Sequence, residues 1–235
     1  MKKQALLITG AAGGLGEELC RKFYKEYMLI LLDKKAQPKF IDDLLKDRGQ
    51  IEYFSVDLNS KNKIKEIKNY LLSKEIYIKG LILAAGIMCF KSFHDITLED
   101  WQETIDINLT SNFLICKEFV PILIQQRFGY IVIIGSVLGK VASYDLFAYN
   151  ISKAALIHFT KNLALELLEY NILVNCICPG FMQSGMYKNV VQKNAKSKNW
   201  FYLFGGLPKK VVSKKDVCKL VDYLINQDSM TGEEI

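Results

Sequence analysis

Short apolar runs alternate with longer helical patterns along the whole 235-residue chain. The runs lack the polar–apolar alternation of half-exposed strands, so they predict strands buried on both faces. Repeated β-α units of this kind require a parallel sheet covered by helices on both sides. The sequence therefore predicts an α/β fold, a doubly wound parallel sheet in three α/β/α layers. The six predicted strands are 5–9, 27–32, 51–56, 80–85, 130–135 and 172–177.

The helical segments and their caps fit one domain. Thr97 is a suitable N-cap for a long helix that reaches about residue 126, and Ser213 is a suitable N-cap for the last helix. No linker rich in Pro, Gly or Ser divides the chain, and no repeat is present. We therefore predict a single domain over residues 1–235.

Residues 181–212 interrupt the β-α order with a long segment after the last predicted strand. Long insertions at this place tend to cover a ligand, so the segment is predicted to be a substrate lid. Its apolar content indicates a partly apolar substrate. The residues concerned are Phe181, Met182, Met186, Tyr187, Trp200, Phe201, Tyr202 and Phe204.

Composition excludes several classes of partner and site. The net charge of +6 comes from scattered lysines, which favours solubility over nucleic-acid binding. No apolar run approaches the roughly 18 residues of a membrane span, and the opening apolar run is too short for a signal peptide. Six cysteines without a C-x-x-C motif, and two histidines, indicate reduced thiols and no metal site. We expect a cytoplasmic protein that binds neither nucleic acid nor membrane.

A glycine-rich turn, "TGAAGGLG", lies between the first strand and the first helix. Backbone N–H groups at a helix start can face an anion, and glycine lets the backbone approach a pyrophosphate closely. The turn does not have the common G-x-G-x-x-G form. We nevertheless predict that it binds the phosphates of a dinucleotide. The predicted binding residues are Gly10, Ala12, Gly13, Gly14, Leu15 and Gly16.

Asp33 ends the second predicted strand, 23 residues beyond Gly10. A carboxylate there can accept hydrogen bonds from both hydroxyls of an adenosine ribose and would repel a 2′-phosphate. NAD is therefore predicted in preference to NADP. Lys34 and Lys35 follow and could bind a 2′-phosphate if Asp33 turned aside, so NADP stays possible.

Two Tyr/Lys pairs share a four-residue spacing. Tyr149 and Lys153 lie inside a continuous helical pattern, where residues i and i+4 share one face, whereas Lys140 and Tyr144 lie in a loop. An ammonium beside the phenol would favour its ionised form, so Tyr149 is a candidate acid or base for an alcohol or carbonyl.

Ser136 is the candidate partner of this tyrosine. It lies at the carboxyl end of the fifth strand, where ligands bind in open α/β sheets, and could hydrogen-bond the same substrate oxygen. Ser143 and Ser152 are predicted to be a loop residue and a helix-surface residue.

Several motifs occur together in a fixed order along nearly the whole chain. T-G-x-x-x-G-x-G spans Thr9–Gly16, "INL" contains Asn108, Ser136 stands thirteen residues before "YNISK", and "PG" follows at 179–180. This set resembles the short-chain dehydrogenase/reductase family, which has a Rossmann fold. The loop also satisfies T-G-x-x-G-x-x-G, the pattern of the longer epimerase-like branch. The length leaves no residues for that branch's separate substrate domain.

The resemblance implies an NAD(P)-dependent oxidoreductase that interconverts a secondary alcohol and a ketone. Tyr149 would be the general acid/base, and Lys153 would lower its pKa and hold the nicotinamide ribose. Ser136 would position the substrate oxygen, and Asn108 would sustain a proton relay. A homodimer or homotetramer is also implied.

The resemblance also implies further cofactor contacts. Asp57 and Leu58 would lie at the adenine, and the segment Pro179–Ser184 at the nicotinamide amide. The remaining implied cofactor-binding residues are Ala85, Gly86, Tyr149, Lys153, Pro179, Gly180 and Ser184.

Two departures from the family pattern leave an alternative open. Leu83 replaces the asparagine of the family's N-x-A-G motif, and the chain stops at "MTGEEI", which puts a seventh strand in doubt. These features suggest a non-catalytic dinucleotide-binding sensor or partner-binding subunit. Among enzymes, a 3-oxoacyl reductase and a polyol, sugar or secondary-metabolite dehydrogenase stay open.

Overall fold

The computed structural model describes residues 4–182 and 211–235. Six strands form one parallel sheet in the order β3-β2-β1-β4-β5-β6. The order reverses between β1 and β4, which makes the sheet doubly wound, as predicted. The strands are β1 Ala5–Thr9, β2 Met28–Asp33, β3 Ile51–Ser55, β4 Ile78–Leu83, β5 Gly129–Ile134 and β6 Ile172–Ile177.

Helices cover both faces of the sheet and give the predicted three layers. Their bounds are α1 Gly14–Phe23, α2 Lys39–Lys46, α3 Lys61–Ser73, α4 Leu98–Ile105, α5 Ser111–Gln126, α6 Phe147–Leu167 and α7 Lys214–Leu224. Buried residues of α1, α2 and α7 belong to one apolar cluster, and those of α3 and α5 belong to another, together with Leu156, Ala164 and Leu167 of α6. Successive residues of one strand point into opposite clusters, as Leu7 and Ile8 of β1 do.

Burial of the strands agrees with the prediction except at the sheet edge. All residues of β1, β4, β5 and β6 are buried, whereas β3 is only half-buried and its Ser55 is exposed. β3 lies at an edge of the sheet with no further described strand beside it, whereas the terminal residues 233–235 pair with β6 at the other edge. The prediction that residues 51–56 are buried on both faces was wrong for this reason.

The predicted long helix is continuous but widens in the middle. Thr97 and Asp100 form a capping box at the start of α4, and a π-helical turn, Asp106–Thr110, joins α4 to α5. π-turns of this kind often occur at functional sites, and this one contains Asn108. The stretch Leu98–Gln126 is long and apolar enough to span a membrane, yet half of its most apolar window is buried inside the domain.

The end of the chain lies beside β6, where a seventh strand was in doubt. The backbone N–H of Cys176 donates to Glu233 O at 2.8 Å, and that of Ile235 donates to Cys176 O at 2.9 Å. Cys176 and Glu234 form a parallel bridge. The terminal residues therefore extend the sheet through a short stretch of parallel pairing.

The two ends of the predicted lid lie side by side. Met182 and Val212 form a parallel bridge, and the Val212 N–H donates to Phe181 O at 2.7 Å. The rest of the predicted lid, residues 183–210, lies outside the described residues. The aromatic residues predicted to face the substrate from that segment, and Ser184, lie outside them as well.

Candidate active site

The candidate site lies at the carboxyl ends of the central strands, where the strand order reverses. Thr9 ends β1, and its hydroxyl accepts hydrogen bonds from the N–H groups of Ala84 and Ala85 at 3.1 and 3.2 Å. These bonds tie the turn after β1 to the turn after β4. Leu83, which stands where an asparagine is usual, is buried in the core and contributes no polar atom here. The Thr9 hydroxyl therefore braces this part of the sheet.

The glycine-rich loop is built from close backbone contacts. Gly10 has a φ of +69°, and a Cβ atom at this residue would lie 2.8 Å from Ala85 Cα. A Cβ atom at Gly16 would lie 2.2 Å from Gly10 O. Neither position can accept a side chain without movement of the backbone. The loop leads into α1, whose N-cap Gly13 supplies no side-chain cap, so the loop and helix start form a cradle that can receive a phosphate.

Asp33 lies at the end of β2, beside this loop. One carboxylate oxygen accepts the Ala12 N–H at 2.9 Å, and the other accepts the Lys35 N–H at 2.9 Å. Asp33 is therefore held against the phosphate cradle, where a ribose that follows the phosphates would come. Asp57, after β3, lies 3.7 Å from the exposed Lys34 ammonium, so both predicted adenosine contacts lie on the same side of the cradle.

Tyr149 lies in an apolar pocket in the first turns of α6, and 7% of its surface is exposed. It packs with Leu138 and Leu146, and the partly buried Met88 and Phe90 border the same cluster. Burial raises the pKa of the Tyr149 phenol, and a hydrogen bond with the Ser136 side chain opposes part of that rise. The structure therefore brings Ser136 and Tyr149 together.

Lys153 lies one turn along α6 and is 4% exposed. Its ammonium donates a 2.8 Å hydrogen bond to Ile134 O and lies 5.7 Å from the centroid of the Tyr149 ring. Burial lowers the pKa of Lys153 to about 8. The sequence predicted a lysine that lowers the pKa of the tyrosine. In the structure the lysine is turned to the backbone of β5, and burial dominates the pKa of both groups.

Asn108 is fully buried beside these residues. Its side chain exchanges two hydrogen bonds with the backbone of Ile87, and its Nδ2 also donates to Ser152 Oγ at 2.9 Å. A Cβ atom at Gly86 would lie 3.3 Å from Asn108 Oδ1 and 3.5 Å from Lys153 Nζ. Gly86 therefore lets the amide and the ammonium approach the same point.

Ser152 corrects a sequence prediction. It was predicted to lie on the helix surface, but it is fully buried, and its hydroxyl donates to Tyr149 O at 2.7 Å. It links Asn108 on the π-helical turn to the backbone of Tyr149. Helical periodicity alone could not reveal this, because the burying surface comes from α4 and the π-turn rather than from the sheet.

The remaining predicted residues lie in the core, next to Ser136 or at the surface. Leu58 is buried in the core, and Pro179 O accepts the Val137 N–H at 3.1 Å, next to Ser136. Lys140, in the other Tyr/Lys pair, donates to Glu234 O at 3.0 Å. Tyr144 is 66% exposed. Sequence reasoning missed Met88 and Phe90, whose only signal was their place just after β4.

No group of His, Cys, Asp and Glu side chains in the described ranges 4–182 and 211–235 could hold a metal ion. The site is thus built from hydroxyl, amide and ammonium groups around a phosphate cradle. Such a set can bind a dinucleotide and exchange a proton with a substrate oxygen.

Known proteins match this chain over most of its length. The family model for short chain dehydrogenases matches residues 4–195. The 3-oxoacyl-acyl-carrier-protein reductase FabG of Rickettsia felis is 34% identical, over 97% of this chain and 92% of that protein. The uncharacterized oxidoreductase YxjF of Bacillus subtilis is 28% identical, over 100% of this chain and 96% of that protein.

Solved structures share the architecture. An NAD+-bound xylitol dehydrogenase is 26% identical, with a TM-score of 0.90 over 100% of this chain and 97% of that one. An actinorhodin polyketide ketoreductase with NADPH, at 23% identity and a TM-score of 0.91, shares the fold over 100% of this chain and 97% of its own. The Rossmann-like arrangement predicted from the sequence is confirmed.

Proposed function

This chain belongs to the short-chain dehydrogenase family and is an oxidoreductase. From this premise we propose that it interconverts a secondary alcohol and a ketone, with a nicotinamide dinucleotide as cofactor. The observation that carries the proposal is the contact between Ser136 and Tyr149 inside an apolar pocket, with Lys153 one helical turn away. When bound, the dinucleotide supplies the redox chemistry by accepting or giving a hydride. The glycine-rich cradle and the placement of Asp33 fit such a cofactor.

The proton steps fall to Tyr149. In the reductive direction its hydroxyl donates a proton to the ketone oxygen, while the Ser136 hydroxyl donates a hydrogen bond to the same oxygen. In the oxidative direction Tyr149 must first lose its proton so that it can accept that of the alcohol. Lys153 and Asn108 are proposed to hold the cofactor ribose and to return protons to the tyrosine.

The raised pKa of Tyr149 predicts opposite pH dependences for the two directions. At neutral pH the free enzyme holds a protonated phenol, so kcat/KM for ketone reduction should stay nearly constant at pH values below the pKa of Lys153, which is about 8. For alcohol oxidation the base is the minor form, so log kcat/KM should rise by about one per pH unit. Initial rates in both directions measure this, and an oxidation rate independent of pH would contradict the role of Tyr149.

We propose NAD as the preferred cofactor because of Asp33. The variant Asp33→Ala should lower the ratio of kcat/KM for NAD to that for NADP by roughly 10- to 100-fold, since a charged hydrogen bond contributes about 1.5–3 kcal/mol and the repulsion of a 2′-phosphate disappears. Lys34 and Lys35 would then face that phosphate. Asp33→Asn, which keeps the shape and removes the charge, should shift the ratio less. A wild-type enzyme that prefers NADP would refute this assignment.

The relatives suggest two substrate classes. The name of the 34% identical relative denotes a reductase of 3-oxoacyl groups, and the 26% identical structure is a dehydrogenase of xylitol. Both classes pair a secondary alcohol with a ketone. The apolar surroundings of Tyr149, with Met88 and Phe90, favour a partly apolar substrate over a polyol. Initial rates across ketones of increasing chain length, followed by nicotinamide absorbance, test this choice.

We also propose a homodimer or homotetramer in the cytoplasm, without nucleic-acid or membrane partners. Several large apolar side chains are exposed on α4, α5 and α6, and association of two copies would cover them. Light scattering at several protein concentrations measures the oligomeric state. The exposed side chains are Leu98, Phe113, Phe147, Ile151 and Leu165.

A further inference from the structure

Two thiols face each other where β6 ends. Cys176 and Cys178 lie two residues apart on an extended segment, so their side chains point to the same side. Their Sγ atoms are 3.8 Å apart. Gly135 lies beneath both, and a Cβ atom there would come within 2.7 Å of Cys176 Sγ and 3.2 Å of Cys178 Sγ. The missing side chain of Gly135 therefore leaves space for both sulfurs.

The two thiols differ in their surroundings. Cys176 is fully buried, whereas Cys178 is half-buried. Either thiol of the pair can donate to the other, and the Cys176 thiol also donates to Ile177 O at 3.9 Å. The hydrogen bond between the two sulfurs raises the pKa of Cys176 and lowers that of Cys178. Burial opposes the lowering at Cys178, while the Lys140 ammonium and the Ser136 N–H support it. Because Cys178 is the more exposed thiol and its pKa is lowered, it is the candidate nucleophile, and the buried Cys176 is its partner.

Other charged and polar groups also face the pair. Glu234 lies on the side of Cys178 and disfavours its thiolate, whereas Lys153 and Thr160 lie near Cys176 and favour its ionisation. Cations therefore approach the pair from two sides, from Lys140 and from Lys153. A thiolate in this place is stabilised by fixed charges and backbone donors rather than by solvent.

We propose that Cys176 and Cys178 form a reversible redox switch that a peroxide closes to an intrachain disulfide. The Cys178 thiolate attacks one oxygen of hydrogen peroxide, so that an S–O bond forms, the O–O bond breaks and hydroxide leaves as water after protonation. Cys176 sulfur then attacks the Cys178 sulfenic acid; the S–S bond forms and the S–O bond breaks. The hydroxyl group of the sulfenic acid leaves with the proton of the Cys176 thiol, as a second water. A small dithiol reduces the disulfide back to the two thiols.

Formation of the disulfide would strain the segment that holds Ser136. Two residues of strand span about 6.6–6.8 Å, more than the separation of about 5.5–6 Å that is most common for Cα atoms joined by a disulfide, so oxidation would tend to shorten residues 176–178. Ile177 O accepts the Gly135 N–H at 2.7 Å, and Pro179 O accepts the Val137 N–H at 3.1 Å. These two bonds hold the backbone on both sides of Ser136. Oxidation would therefore shift Ser136 relative to Tyr149, a consequence for activity that rests on the proposed function.

The chemical part of the switch can be tested without any activity. Trypsin releases residues 162–188 as one peptide in which Cys176 and Cys178 are the only cysteines. The folded full-length protein is treated with hydrogen peroxide, blocked with a thiol alkylating reagent, digested and analysed by mass spectrometry. We expect the peptide to have lost two hydrogens and to carry no alkyl group. Dithiothreitol before blocking should restore two alkylated cysteines.

Single cysteine variants distinguish a pair that forms a disulfide from two thiols that oxidise independently. Cys176→Ser should stop oxidation at sulfenic or sulfinic acid on Cys178, and Cys178→Ser should leave Cys176 reduced. Cys89→Ser is the matched control, because Cys89 is also half-buried, and it should leave the disulfide yield unchanged. Two alkylated cysteines after peroxide treatment, or sulfenic or sulfinic acid on Cys178 of the wild type in place of the disulfide, would overturn the proposal.

Activity provides a second, separate measurement. Oxidation of the wild type should lower turnover on the order of tenfold, and dithiothreitol should restore it. A disulfide formed without change of turnover would refute the link to Ser136. Absence of turnover in the reduced enzyme would instead refute the proposed function and leave the mass measurement valid.

Discussion

Tyr149→Phe is expected to lower kcat by about 10²–10⁴-fold, the usual contribution of a general acid or base. The change removes one oxygen from a side chain that is 7% exposed and packs against Leu138 and Leu146. The ring keeps its apolar contacts, so the fold should be retained. The Kd for NAD should change by no more than about twofold, because the lost hydroxyl acts on the substrate oxygen.

Tyr144→Phe is the matched control for this variant. Tyr144 stands in the other Tyr/Lys pair of the same spacing, yet it is 66% exposed, and Lys140 is bound to the end of the chain. Its kcat should stay close to that of the wild type. Initial rates and a cofactor titration distinguish the two variants. Retention of most of the turnover in Tyr149→Phe would remove the tyrosine from the proposed mechanism.

Gly16→Val is expected to abolish cofactor binding or to raise its Kd on the order of 100-fold or more. A Cβ atom at this residue would lie 2.2 Å from Gly10 O and 2.7 Å from Ala11 Cα, and both are backbone atoms. Because no flexible side chain can yield, the turn itself must move. A backbone that moves away from the phosphate cradle loses the N–H groups that would face the phosphates.

Gly13→Ala provides a graded comparison, since its Cβ atom would lie 3.1 Å from Gly10 O. It should weaken binding much less than Gly16→Val. Thermal unfolding shows whether each variant folds, and Gly16→Ala replaces Gly16→Val if the larger side chain prevents folding. Equal Kd values for wild type and Gly16→Ala would show that the cofactor does not depend on the close contact in this loop.

The sequence predicted the sheet well because burial on both faces leaves a continuous apolar run. β1, β4, β5 and β6 confirm this relation. β3 does not, because it lies at the edge of the sheet that the end of the chain leaves uncovered, whereas residues 233–235 pair with the other edge strand, β6. The sequence of a single strand does not encode this difference. The cap at Thr97 was predictable, since the capping box is a local pattern.

The sequence predicted which helices and strands carry the site residues, but it did not predict all the hydrogen bonds that these residues make. Helical spacing is enough to put Tyr149 and Lys153 on one face of α6. The direction of the Lys153 ammonium depends on the backbone of β5, where it donates to Ile134 O. The burial of Ser152 depends on the π-helical turn that contains Asn108. Both contacts join segments distant in the chain, so neither could be predicted from local sequence.

The most direct test of the proposed reaction is the transfer of label from NADH deuterated at C4 to ketones. The wild type is incubated with this cofactor and a panel of partly apolar ketones, and the products are analysed by mass spectrometry. We predict a secondary alcohol that carries one deuterium on its carbinol carbon. Binding of NADH without transfer to any ketone of the panel would contradict the proposed reaction and favour a dinucleotide-binding protein without catalysis.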